Sequence, residues 1–156
     1  TMNCKIKLNL PDTPTRTRVL SGREEIWDPI RQKWLILTPE EWVRQRFLGY
    51  LTGFRGIPSV LIRQEQPLTL NDTARRADIV VYDSKARPKM IVECKSPGIR
   101  LTREVLEQAV RYNLVLGVPF LTITNGLEHF CYSFDTKTNT FGHMSEVPDF
   151  KTLSEK

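Results

Sequence analysis

Few features of this sequence point to export, membranes or disulfide chemistry. Only three of its 156 residues are cysteines, Cys4, Cys94 and Cys131, and none forms a C-x-x-C pair. A disulfide framework and a structural zinc site are therefore not expected, and the thiols read as reduced and largely buried. No apolar run approaches the roughly 18 residues of a membrane span. The segment Thr1-Met2-Asn3-Cys4-Lys5 has no apolar signal core, so a cytoplasmic protein without membrane association is expected. Internal repeats and Gly/Ser linkers are lacking, and a G-x-x-x-x-G-K-[ST] phosphate loop is missing too, so no ATP site is expected. The two histidines, His129 and His143, have no partners at metal-ligand spacing and read as ordinary hairpin residues.

What is present suits one soluble domain. Apolar residues make up 40% and charged residues 26%, an ordinary globular composition. Residues 1–156 are expected to form a single unit, with a core over about 38–125. An N-terminal hairpin region would cover 1–37 and a C-terminal hairpin 127–148. Lys plus Arg number 23 against 18 Asp plus Glu, a net charge of +5. That balance permits a polyanion partner without demanding one.

Local signals define the core. Ile6 and Leu8 alternate with polar residues and read as a strand, Pro11–Thr17 as a loop, and Ile26–Leu37 as a hairpin. Thr38, Pro39, Glu40 and Glu41 announce a helix: an N-cap, a proline at the first position and two carboxylates in the first turn. Thr38 and Glu41 fit a capping box. Val43, Phe47, Tyr50, Leu51 and Phe54 follow at helical spacing. Strands are expected at Val60–Leu68, Arg76–Tyr82 and Lys89–Lys95. A helix then runs from Thr102 to Leu116, with Leu101, Val105, Ala109, Tyr112 and Leu116 on its apolar face and Gly117 as its stop. Phe120–Thr124 is a short strand, and His129–Phe134 with Thr140–Met144 a last hairpin. The order αβββαβ implies a mixed α/β fold, a sheet flanked by helices.

Asp78 and Glu93 stand out because they interrupt strands that are otherwise apolar, where an isolated charge is costly. A turn over Ser84–Arg87 places Asp83 opposite Pro88, and hence Asp78 opposite Glu93. Directly opposed side chains have Cβ atoms about 4.5–5.5 Å apart, so two carboxylates there repel unless a cation lies between them. Alternation puts Lys95 on the face of Glu93 and Cys94 on the other. Two carboxylates and a lysine suit a hard divalent ion such as Mg²⁺ and the activation of water against a phosphate. The plainer reading of Glu-x-Lys is a surface salt bridge.

The pattern resembles the PD-(D/E)xK nuclease superfamily, with Asp78 as the acid and Glu93-Cys94-Lys95 as the Glu-x-Lys element. More specifically, the chain resembles the N-terminal nuclease domain of type I restriction enzyme R subunits. Asp28-Pro29-Ile30-Arg31, Leu37-Thr38-Pro39-Glu40-Glu41-Trp42-Val43-Arg44-Gln45, Gln108-Ala109-Val110-Arg111-Tyr112-Asn113 and Thr124-Asn125-Gly126 carry that resemblance. It implies a restriction-endonuclease-like core and a Mg²⁺-dependent DNA endonuclease in which Mn²⁺ can substitute. It also implies a glutamate from the first helix as a further metal ligand. Glu40 is preferred because it shares a face with Val43 and Phe47, and Glu41 is the alternative. Gln108 matches a glutamine near the active site of related nucleases.

Arg75, Arg76, Lys85, Arg87, Lys89, Arg100 and Arg103 surround these strands and are candidate DNA-phosphate contacts, or simply solvated turn residues. Trp27, Trp34 and Trp42 read as packing groups. The alternative function is a non-catalytic nucleic-acid-binding or assembly module of the same fold. A homodimer, or separate motor and specificity subunits, would be the further partners.

Overall fold

The computed structural model describes residues 3–70 and 73–155. Three strands open the chain, β1 (Thr17–Leu20), β2 (Arg23–Asp28) and β3 (Lys33–Ile36), paired as an antiparallel sheet. Helix α1 (Pro39–Phe54) follows, and after a 3₁₀ turn come β4 (Ile62–Leu70), β5 (Thr73–Tyr82) and β6 (Pro88–Cys94). Helix α2 (Arg103–Leu116) crosses over to β7 (Phe120–Thr124), and β8 (His129–Asp135), β9 (Thr140–Met144) and a short α3 (Phe150–Ser154) complete the chain. Strands β4 to β9 form one six-stranded sheet in sequence order. All its pairs are antiparallel except β6–β7, the pair that α2 connects, as a parallel pair requires. The fold is mixed α/β, and the αβββαβ core falls where the patterning puts it.

Each face of the large sheet carries its own core. On one side Ile79, Val81, Met90, Val92 and Cys94 pack against Val43, Phe47 and Leu51 of α1, Ile26 of β2 and Leu153 of α3. On the other side Val80, Ile91, Leu121 and Ile123 pack against Ala109 and Val110 of α2. Consecutive strand residues thus feed opposite cores, the period-two rule in a sheet buried on both faces.

Several local expectations need correction. Residues 3–8 form no strand: the Ile6 carbonyl accepts from Trp42 Nε1 (2.9 Å) and Asn9 N–H donates to Gly126 (2.8 Å), so side-chain and loop partners replace a ladder. Strand β1 extends past the expected loop, and α3 was not foreseen. Tyr112 and Phe54 are exposed rather than in the core. Leu101, Val105, Ala109 and Leu116 of the expected α2 face do pack into the α2-side core, and Val110 and Asn113 join them as buried residues, so Tyr112 is the one member of the expected stripe that faces outward. Asn113 is there because its Nδ2 donates to the Val118 carbonyl (2.8 Å), closing the helix beside Gly117, whose φ of 72° is the left-handed cap.

Candidate functional site

The β5–β6 hairpin sets the site, and its turn differs from the expected one. Asp83 pairs with Arg87 rather than Pro88: Asp83 N–H donates to the Arg87 carbonyl (2.9 Å), and Ala86 takes a φ of 61°. Tyr82 then faces Pro88, while Val81 faces Met90, so Lys89 is an extra residue in β6. That bulge restores the expected register farther along, with Ile79 opposite Val92. Continued by one residue, it brings Asp78 level with Glu93. Ladder pairing stops there. The Asp78 carboxylate takes over, its Oδ2 accepting the Cys94 backbone N–H at 2.7 Å.

Lys95 Nζ lies 3.0 Å from Glu93 Oε1, so Glu93 and Lys95 meet as alternation requires, while Cys94 points into the α1-side core with its thiol pushed well up by burial. Helix α1 delivers the remaining groups. Thr38 caps it by accepting Glu41 N–H (3.0 Å). The Glu41 side chain does not complete a capping box. Its oxygens accept from Arg44 Nη1 (3.1 Å) and Gln45 Nε2 (3.0 Å), and it is the more buried of the two glutamates. Glu40 is half exposed and accepts from Arg44 Nη2 (3.3 Å).

Arg44 and Glu65 were missed by reading the sequence for ligands. The Arg44 side chain is only 7% exposed and lies 3.5 Å from Asp78 Oδ1 and 3.7 Å from Glu65 Oε1. Glu65 sits in β4 between the pairs Gln64–Ile79 and Gln66–Ala77, across from Asp78, with a φ of 49°. It is anchored from the N-terminal hairpin: Arg31 Nη1 donates to it (2.8 Å), and Arg31 Nε donates to the fully buried Asp28 (2.8 Å). The readable signals were the i,i+4 and i,i+3 spacing of Glu40 and Glu41 to Arg44 and a carboxylate level with Asp78 on the next strand.

The electrostatics follow from this crowding. Burial pushes the Asp78 carboxyl up, and the Glu93 charge adds to it, against the Cys94 N–H, Arg44 and Lys95. Burial and the charge of Asp78 also push Glu40 up, whereas the Arg31 hydrogen bond holds Glu65 below its ordinary value. Glu40 therefore feels Asp78 and Lys95 across the gap between α1 and the sheet. Among the described residues, no three His, Cys, Asp or Glu side chains are gathered as a ready-made metal cage. A Mg²⁺ site needs only one or two protein carboxylates, and the hard oxygen donors of Asp78 and Glu93 fit that chemistry.

Other candidate residues are dispersed. Gln108 is exposed on α2, beside a surface depression it shares with Arg111, Tyr112 and Val115, and among the described residues it makes no hydrogen bond to the acidic group. Lys89 is 4% exposed and lies 3.9 Å from Asp83, so it presents no surface to a phosphate. Lys85 and Arg87 are exposed at the turn, about 16 Å along the strand from Glu93. Arg76, Arg100 and Arg103 are exposed nearer the acidic end, with Arg76 Nε on the Glu65 carbonyl (3.1 Å) and Arg103 paired to Glu107 (2.8 Å). The Arg75 side chain lies outside what the structure describes. The tryptophans pack: Trp27 and Trp34 meet edge to face at 5.3 Å, and Trp42 is buried.

Among the described residues, no helix is long and apolar enough to cross a membrane. No curated protein matches the chain. A solved structure that it resembles is a fragment described as an HsdR subunit of a type I restriction enzyme from Vibrio vulnificus YJ016, 24% identical, with a TM-score of 0.42. The match covers 60% of this chain and 20% of that one, so the chain spans only about a fifth of the length of that fragment. Residues 39–148, from the start of α1 to just past β9, match the family described as "Type I restriction enzyme R protein N terminus (HSDR_N)", and the chain belongs to that family.

Proposed function

We propose that this chain is a nuclease module of the PD-(D/E)xK kind, which hydrolyses DNA phosphodiester bonds with Mg²⁺ or Mn²⁺. The observation that carries the reading is the convergence of Asp78, Glu93 and Lys95 at one end of β5 and β6, in a family of restriction-enzyme regions. Asp78 and Glu93 would hold the ion. Glu40 is the preferred third ligand, because Glu41 is committed to Arg44 and Gln45. A bound ion would polarise the phosphate and make a water nucleophilic near neutral pH. The Cys94 N–H orients the Asp78 carboxylate. Lys95 supplies positive charge on the Glu93 side, where it can offset charge that develops on a phosphate. DNA is the proposed substrate, and motor and specificity subunits, or a second copy of this chain, are the proposed partners. ATP-driven translocation would reside on another segment or subunit, because the sequence has no phosphate loop.

A supercoiled-plasmid nicking assay with Mg²⁺ or Mn²⁺ tests this reading. Asp78→Asn should abolish both cleavage and Mn²⁺ binding. Lys95→Ala should abolish cleavage and leave Mn²⁺ binding intact, because a charged lysine cannot ligate a metal. Cleavage that survives both substitutions would overturn the assignment.

A further inference from the structure

Arg44 has an unusual position. Its guanidinium lies within 4 Å of four carboxylates: Glu41 (3.1 Å), Glu40 (3.3 Å), Asp78 (3.5 Å) and Glu65 (3.7 Å). It is buried, and among the described residues its Nε has no hydrogen-bond partner. With Arg31 on Glu65 and Asp28, and Lys95 on Glu93, three cations face six carboxylates here, which leaves a local excess of negative charge. A buried carboxylate without a compensating cation is expensive, so Arg44 does for Asp78 and Glu40 what a bound metal ion would do. Both cannot sit fully on the same oxygen atoms. Glu65 is built to take a share of the guanidinium. It is fixed by Arg31, which is fixed in turn by buried Asp28, and it reaches Arg44 from the side away from α1. A positive φ at a non-glycine residue in mid-strand costs free energy that the surroundings must offset. Here that conformation accompanies the link to Arg31 and Arg44.

We propose that Arg44 is the resident counter-cation of the Asp78 carboxylate, that a divalent ion binds in competition with it, and that Glu65 acts as a positioning residue by drawing the guanidinium off Asp78. This rests on the reading of Asp78 as a metal ligand. The Asp28-Pro29-Ile30-Arg31 segment thereby gains a role, since it anchors Glu65. The Arg44 and Glu65 substitutions then shift metal affinity in opposite directions, which a purely structural role for either residue does not produce.

The test is Mn²⁺ binding to the full chain, followed by calorimetry and by the electron-paramagnetic signal of free Mn²⁺, with folding checked by circular dichroism. An arginine beside a carboxylate lowers its proton affinity by about tenfold or more, and the same positive charge opposes a metal ion on that carboxylate. Arg44→Gln should therefore bind Mn²⁺ about tenfold more tightly, Arg44→Lys should stay near wild type, and Glu65→Gln should bind several-fold more weakly. Asp78→Asn serves as the control. If it binds Mn²⁺ as wild type does, the metal reading itself fails. If it loses binding while Arg44→Gln is unchanged or weaker, the competition is refuted and the metal reading stands. Should Arg44→Gln not fold, Glu65→Gln decides: unchanged affinity overturns the proposal, and weakened affinity supports it.

Discussion

At the residue scale, Glu40 and Glu41 show how adjacent carboxylates in one helical turn diverge. Their spacing to Val43 and Phe47 singles out Glu40 as facing the strands, yet Glu41 is the buried one and Glu40 is half exposed, with its carboxyl pushed up by burial and by Asp78. The capping box singles out Glu41 as a backbone partner, but its carboxylate instead serves Arg44 and Gln45. The reason is energetic. A buried guanidinium requires a close anion, whereas the N–H groups of a helix's first turn can be met by Thr38 or by water. Glu41→Gln removes a charged acceptor from a mostly buried pair. We expect it to destabilise the fold by about 1–3 kcal/mol, more than a dipole contact alone would cost, as measured by urea unfolding. Glu40→Gln, whose side chain is 48% exposed, should change stability much less and should weaken Mn²⁺ binding. Residue spacing alone could not distinguish these roles, because Arg44 reads as one more basic residue on a helix until the sheet that buries it is known.

At the scale of elements, helices and strands were legible where patterning and caps agreed. Pro39 and Thr38 started α1, Gly117 stopped α2, and β7 and β9 span the expected segments, Phe120–Thr124 and Thr140–Met144. Tertiary partners override local pattern elsewhere. The alternation at Ile6 and Leu8 is that of a strand, yet this segment is tied down by side chains. His129 is the clearest tie. Its Nε2 lies 2.8 Å from the Asn9 carbonyl and its Nδ1 2.7 Å from Thr124 Oγ1. Because a carbonyl only accepts, Nε2 carries the proton and Nδ1 accepts from the Thr124 hydroxyl, which itself accepts Gly126 N–H (2.9 Å). Burial lowers the His129 pKa, against the Asn9 bond. A histidine with a folded pKa below its unfolded value of about 6.5 favours folding in its neutral form. Its contribution is complete above that pH, is lost as pH falls towards the folded pKa, and is flat below it. Urea unfolding from pH 8 to 5 should show this decline. His129→Gln should remove the His129 part of it while lowering stability at pH 8, and a pH profile identical to wild type would show that His129 is not its source.

At the scale of the whole molecule, charge is arranged differently from its net sum. From the sequence, the seven basic residues around the strands read as candidate DNA-phosphate contacts or as solvated turn residues. The fold divides them. Lys89 is buried, and Lys85 and Arg87 lie at the turn far from Asp78 and Glu93, with Arg87 paired to Asp83 (2.8 Å). Arg76, Arg100 and Arg103 remain near the acidic end, two of them already engaged by Glu65 and Glu107. Burial and ion pairing of this kind depend on the bulge at Lys89 and the curl at Ala86, and neither has a signature in residue order. Each neutralised phosphate contributes a slope of about −0.9 to log K against log salt, so three contacts give about −2.7. For a short DNA duplex followed by fluorescence anisotropy between low and moderate salt, we therefore expect a slope near −3 and not one near −6. Arg100→Ala should reduce its magnitude by about one, while Lys85→Ala and Arg87→Ala should leave affinity and slope unchanged. A slope near −6, or a loss of affinity in the turn variants, would mean that DNA wraps along the hairpin to its far end, and the proposed footprint at the acidic end would then be wrong.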